Sequence, residues 1–418
     1  MRRPKLIVSG LLISLCLCAV GAAEEVRRIS ADEYVQKMKA AWIGQMAGVG
    51  WGFPTEFRFN GKIIPEDKVP KWQPATINQF NQDDIYVEMT FLRTLELYGL
   101  DASIRQAGID FANSEYRLWW ENEGARRNLR KGIAPPACGH PKHNPHADGI
   151  GYQIQSDYSG IISPGVPRRV IELSEVFGRL TNHGDGLYAG RFIGGMYAEA
   201  FFEKDPKKIV EAGLKCIPEG SQYHECISDV IRWHEENPTD WRKTWSLVEK
   251  KYQLDPNYNR GKKLLLKNNF NIHAKLNGAY VVMGLLYGGG DIDRTIIISM
   301  RCGQDSDCNP SSAAGVLCTT IGYDALPERF TSALNPKSKF SHTPYTFPKL
   351  CEVCEMLARK VVVAEGGRIE KTADGKETFV IPVQIPKPGK LERSWQPEPV
   401  EESRYSEEEM KKITAGGR

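Results

Sequence analysis

The stretch Gly303-Gln304-Asp305-Ser306-Asp307-Cys308-Asn309-Pro310 places two carboxylates where a turn gives way to an apolar helical run over residues 310–321. Proline suits the first turn of such a helix, where its missing N–H is not needed. Just upstream, residues 274–287 read as an apolar helix, Gly288, Gly289 and Gly290 break it, and Asp291 stands ready to cap a helix over 294–301. A second acidic pair closes Asn81-Gln82-Asp83-Asp84. It opens another helical pattern, in which Val87, Phe91, Leu92 and Leu95 build a buried face and Gly99 ends the helix.

Either pair alone reads as helix capping, worth at most about 1 kcal/mol at a surface. All four together read differently. Carboxylates gathered in one place repel one another unless a cation lies between them. Hard oxygen ligands of this kind suit Mg²⁺, Mn²⁺ or Ca²⁺ rather than zinc. Spacing along the chain does not itself bring the two pairs together.

Working outward, Ser30 and Glu33 form a capping box before a helical pattern over 34–46, whose end carries Gly44, Gly48, Gly50 and Gly52 before Pro54. Helical periodicity predicts further helices over 101–121, 168–180, 186–203, 206–216, 226–236 and 240–252, with a loop dense in Gly, Pro and His over 124–163. Residues 360–364 and 378–384 read as β-like runs around a turn at Asp374-Gly375, and the last twenty or so residues as a loose polar tail. The expected organisation is a leader over 1–23, one all-α domain over 30–358, and a small β segment with its tail over 359–418.

The leader has the order of an export signal: Arg2, Arg3 and Lys5, then an apolar run from Leu6 to Val20, then Gly21, Ala22 and Ala23. The run is short for a membrane span. Cys16 and Cys18 each follow a leucine, so cleavage near Ala22 or Ala23 is expected rather than a lipid anchor. The expected place of work is the periplasm or the extracellular space, with no transmembrane segment. With 55 Lys and Arg against 52 Asp and Glu, dispersed along 418 residues, no nucleic-acid footprint is expected. A small molecule or a glycan is the expected partner.

Eight cysteines lie beyond the leader. Export permits disulfides, and Cys216 with Cys226 is a plausible pair. Cys351-x-x-Cys354 lacks the second CxxC of a zinc site and reads as buried thiols or a disulfide. The loop from Cys138 through His140, His143 and His146 reads mainly as a surface or cleft-lining loop. Trp51, Trp119 and Trp120 could stack on a sugar or base, but the reading favours core packing for them.

Three blocks in order resemble the ADP-ribosylglycohydrolase family. They are Gly44 to Glu56 (GQMAGVGWGFPTE), then Gln82-Asp83-Asp84, then Gly303 to Asp307 running on through Ala313-Ala314-Gly315 to Gly322-Tyr323-Asp324-Ala325-Leu326-Pro327-Glu328. A softer match spans Ile150 to Asp157, Ser163 to Pro167 and Asn182 to Gly186, and is similar to a divergent bacterial branch. The resemblance implies an all-α fold with one or two Mg²⁺ ions, Mn²⁺ being possible. It implies Asp83, Asp84, Asp305, Asp307 and Gln82 as ligands, and Glu56 and Asp305 as catalytic groups. It implies Asp157, Gly165, His183 and Asp185 on the substrate side. The reaction implied is hydrolysis of a glycosidic bond, ADP-ribosyl-like or of another glycoside. Gln82 and Cys308 stand where the family has threonines, and Val49 where it has an aspartate. The alternative is a non-catalytic sugar- or nucleotide-binding or structural member, as in the crystallin-like relatives.

Overall fold

A computed structural model describes residues 25–259 and 269–415, so the expected leader lies outside the described residues. The chain runs β1 (Val26–Ser30), α1 (Ala31–Gly52), α2 (Asp83–Tyr98), α3 (Ile104–Ala112), α4 (Trp120–Arg130) and α5 (Asp157–Ile161). It continues with α6 (Pro167–Val176), α7 (Asp185–Ala200), α8 (Pro206–Leu214), α9 (Gln222–Glu236) and α10 (Trp241–Val248). The last part holds α11 (Ala274–Gly288), α12 (Ile292–Arg301), α13 (Cys308–Ile321), α14 (Phe347–Ala364), β2 (Arg368–Lys371), β3 (Glu377–Pro382) and α15 (Glu407–Ala415). The fold is helical with a small sheet, as expected from the sequence.

Local chemistry sets several of these boundaries. The Ser30 hydroxyl accepts from the Glu33 N–H at 3.0 Å, and the Asp291 carboxylate accepts from Arg294 N–H at 2.8 Å. Each satisfies a backbone donor that the first helical turn leaves unpaired. Every residue of α11 is buried. A helix apolar all round belongs inside a protein, and here α11 packs with α7 and α13 at the centre while α8, α9 and α12 cover it.

The tightest junction in the interior is α1 against α13. A Cβ on Gly44 would fall within 3.0 Å of the Ala314 carbonyl, one on Gly48 would meet that of Pro310, and one on Gly52 that of Ser306. The three glycines are spaced four apart, so they share one face of α1. Along that face the helix meets the backbone of α13 and of the turn before it.

The sheet is antiparallel in the order β1-β3-β2, with Ile29 opposite Phe379. Its buried face lies on the start of α1, where Phe379 meets the ring of Tyr34 at 5.4 Å. Residues 360–364, expected as a strand, are instead the last turn of α14, whose buried Leu357, Val361 and Val362 keep helical spacing.

The C-terminal tail is not loose. Arg191 donates to the Pro388 carbonyl, Tyr188 to that of Lys390, and Ser394 to that of His183. Tyr405 and Ile413 are buried, and Arg105 on α3 pairs with Glu409 at 2.6 Å. Polar composition hid this because the tail docks through backbone carbonyls and a few anchors. Cys216 and Cys226, considered as a pair, are separate buried thiols: Cys216 donates to the Ala212 carbonyl and Cys226 to that of Lys275. No helix of the described residues is long and apolar enough to cross a membrane.

The α1–α13 junction yields a first prediction. Gly48→Ala should lower stability by about 1–3 kcal/mol in urea denaturation, because overpacking against a backbone carbonyl outweighs the roughly 1 kcal/mol gain in helix propensity. Unchanged or increased stability would show that the two helices can separate freely.

Candidate metal centre and cleft

The close approach of α1 to α13 carries Glu56, just past the end of α1, toward the turn that holds Asp305 and Asp307. That turn is backbone-strained and well anchored. Gln304 has φ +56, yet its carbonyl accepts from Phe57 N–H, its side-chain oxygen accepts from Asn271 N–H, and its amide donates to Asn269. Such strain persists where surrounding contacts over-determine it. Ser306 and Thr55 share a hydroxyl hydrogen bond of 2.7 Å, tying the turn to the end of α1.

Asp83 and Asp84 open α2, and Gln82 is its N-terminal flanking residue. Neither Gln82 nor Asp307 makes a side-chain capping bond. Oxygen atoms of Asp83 and Asp84 lie within 4.8 Å of each other and of the Cys308 sulfur. Oxygen atoms of Asp305 and Asp307 meet the same sulfur within the same distance. Cys308 thus joins the two acidic pairs that the chain keeps far apart. Two carboxylates at this range repel by about 3–4 kcal/mol at an effective dielectric near 20, more than capping returns.

The carboxyls register this crowding. Burial, then the Asp307 and Asp83 charges, pushes Glu56 from 4.5 up to about 8. Asp307 is pushed from 3.8 up to about 6, chiefly by burial, with Asp83 adding to it. Burial also drives Asp84 and Asp305 well above the usual range, reinforced by Asp83 and Asp307 respectively. One oxygen each of Asp84, Asp305 and Asp307 is buried and has no hydrogen-bond partner. Buried, unpartnered carboxylate oxygens converging from two helix starts fit a divalent cation, which would supply the missing charge and the missing bonds.

The cluster opens into a cleft of about 840 Å³ lined by Glu56, Gln82, Asp83 and Asp307 together with a set of aromatic residues. Trp119 and Trp120, read from the sequence as core, are partly exposed on this wall, whereas Trp51 is buried. The Arg117 guanidinium lies 3.7 Å from the centre of the Trp119 ring, and Phe270 stacks on Trp120 at 5.4 Å. Trp120 adopts φ +41, which turns the start of α4 outward. A signal existed: adjacent residues of a helix do not share a face, so on a helix buried along one side only, a Trp-Trp pair cannot turn both rings to the core. Tyr86, Tyr116 and His342 complete the wall and carried no local mark of that role.

The four residues expected on the substrate side are not brought to this cleft. Asp157 is buried behind the cluster, accepting from Tyr197 at 2.8 Å and Gln45 at 3.2 Å. His183 lies under the tail, 3.4 Å from Glu392, with its ring on His140. Asp185 pairs with Lys275 at 3.4 Å inside the core. Gly165, at φ +67, packs against Phe202. The histidine loop is part surface, as expected: Lys142 and Pro145 are exposed and His143 and His146 half-buried, while buried His140 bonds the Glu398 carbonyl and His146 meets Trp120 edge-on.

A helical body with a carboxylate-lined cleft at the meeting of two helix starts defines a class that comparison with other proteins identifies. The chain belongs to the ADP-ribosylglycohydrolase family, which it matches over residues 30–365. Its fold is similar to that of a solved structure described as an ADP-ribosylglycohydrolase-related protein complex, with 14% identity, a TM-score of 0.53, and coverage of 79% of this chain and 99% of that one. No curated protein matches the chain.

The raised carboxyls predict a pH-dependent response to metal. A carboxyl whose folded pKa exceeds its unfolded value stabilises the fold below the unfolded value, and this is lost as pH rises through the folded one. For Asp307 and Glu56 the window runs from about 4 to about 8. The rise in melting temperature caused by a divalent cation should therefore grow from pH 5 to pH 8 and vanish in Asp305→Ala. A rise that is flat across this range, or kept in the variant, would contradict a cation at this cluster.

Proposed function

We propose that the chain is a divalent-cation-dependent hydrolase of a glycosidic bond, ADP-ribosyl-like or of another glycoside. The observation carrying this reading is the gathering of Asp83, Asp84, Asp305 and Asp307 around Cys308, three of them with an unpartnered buried oxygen, beside a cleft that Glu56 also lines. Asp83, Asp84, Asp305 and Asp307 would hold the cation, with Gln82 beside them at the start of α2. Mg²⁺ or Mn²⁺ is what carboxylate ligands alone would select. Bound there, the cation supplies charge stabilisation and an anchor for a water molecule or a sugar hydroxyl.

The chain's own groups divide the remaining tasks. Glu56 lines both the cleft and a small inner chamber, which Asp305 and Cys308 also line. Burial, the largest cause of its raised pKa, suits Glu56 to proton transfer, and it would take a proton from the attacking water or hold a substrate hydroxyl. The braced faces of Trp119 and Trp120 offer a platform for a sugar ring. Glu115 and Glu123 at the rim can accept hydroxyl hydrogen bonds. Burial of the cluster excludes bulk water from the anomeric carbon as an oxocarbenium-like charge develops. The export-signal order read over residues 1–23 supports an activity outside the cytoplasm.

Two outcomes follow. Asp305→Ala should lower turnover of a cleavable glycoside by more than about 100-fold, beyond the usual effect of disturbing a metal's outer shell. Wild-type protein that binds glycosides and never cleaves them would favour the non-catalytic alternative. Trp120→Ala should raise KM up to about tenfold, the loss of roughly 1.4 kcal/mol of stacking, with cation affinity unchanged. An unaltered KM would remove the aromatic wall from substrate binding.

A further inference from the structure

Among the described residues, Cys308 belongs to both acidic groupings. Its sulfur lies within 4.8 Å of oxygens of Asp83 and Asp84, and equally of Asp305 and Asp307. It is 4% exposed and lines the inner chamber together with Asp305 and Glu56. The position is fixed by architecture: Cys308 begins α13, directly after the anchored turn, and the α1 glycines press that turn home. An independent observation points to a ligand in this cluster, since one carboxylate oxygen of each of Asp84, Asp305 and Asp307 is buried and unpartnered. A cation drawn to those oxygens comes within reach of the sulfur.

Oxygen-only sites suit Mg²⁺, whereas a thiolate adds affinity for softer first-row ions and little for Mg²⁺. We infer that Cys308 is a metal ligand, and that it turns this cluster from an Mg²⁺ site into one that prefers a thiophilic divalent cation such as Co²⁺, Zn²⁺ or Fe²⁺. The inference rests on the metal-site reading above and deepens it. On binding, the S–H bond breaks, a sulfur–metal bond forms, and the proton passes to solvent, with no change in oxidation state. Shared between the two acidic pairs, the sulfur would be available to a cation held by either.

The test uses Co²⁺ as a spectroscopic probe on the whole protein, with Cys308→Ser and Cys308→Thr as variants and circular dichroism to confirm that each folds. The expected result is a near-ultraviolet sulfur-to-cobalt charge-transfer band in the wild type that is absent from whichever variant folds. By calorimetry, the preference for Co²⁺ over Mg²⁺ should also fall at least about tenfold, or roughly 1.4 kcal/mol. Co²⁺ binding without that band, with the same preference in wild type and variants, would overturn the thiolate and leave an all-oxygen site standing. No binding of Co²⁺ or Mg²⁺ by the wild type would overturn both this inference and the metal-dependent reading on which it rests.

Discussion

Everything in the cleft depends on how closely α1 approaches α13. Side chains normally hold packed helices 8–10 Å apart. Here three glycines on one face of α1 remove them, and the carbonyls of Pro310, Ala314 and Ser306 fill the space. Without that approach, Glu56 and the Asp305–Asp307 turn would be separated by a layer of side chains. The Thr55–Ser306 hydroxyl bond and the Phe57 N–H to Gln304 bond would also be out of reach. The packing constraint and the electrostatic one are therefore a single feature. The backbone contact that makes the core dense is also what forces the carboxylates together.

That crowding opposes stability. Burial and mutual repulsion raise Glu56, Asp84, Asp305 and Asp307 above their ordinary ranges, and the unpartnered oxygens add a desolvation cost. A chain retains such an arrangement when something else is gained from it. The rest of the molecule offsets the cost with an α11 buried over its whole length, a sheet closed across the start of α1, and a tail that clasps the opposite side. Deeper still, Glu88 and Asp157 share Gln45, so the polar interior reaches well behind the cluster.

How much of this was legible in the sequence follows the range of the interactions involved. Capping at Ser30 and Asp291, the glycine stop at Gly99 and the apolar α11 are written within a few residues, and local rules found them. The acidic pairs were visible as unusual, but they meet at Cys308 only in the fold, where the α1–α13 contact joins Gly48 to Pro310, 262 positions later. Trp119 and Trp120 were misplaced because periodicity treated 101–121 as one helix. In the fold α3 ends at Ala112 and α4 begins anew at Trp120 with a left-handed backbone. Asp157, His183 and Asp185 look polar and loop-like in sequence, yet each is held inside the protein by a partner distant in the chain, Tyr197, Glu392 and Lys275, while one oxygen of Asp157 and the Nε2 of His183 stay unpartnered. The tail was read by composition, which does not record that backbone groups can dock.

The pairing of β1 with β3 joins residue 26 to residue 382, and the tail then returns as far as α3. During synthesis, the first strand to leave the ribosome must wait, unpaired, for one made some 350 residues later. At about 5–20 residues per second that wait is tens of seconds. In that interval β1 is an open edge, and Tyr34 and Phe201 lack the Phe379 side that later covers them. The helical interior can assemble first, and the sheet and clasp then close over it as a final step. The polar character of β1, with Arg27 and Arg28 beside its single buried Ile29, is what keeps such an edge from pairing with other chains meanwhile.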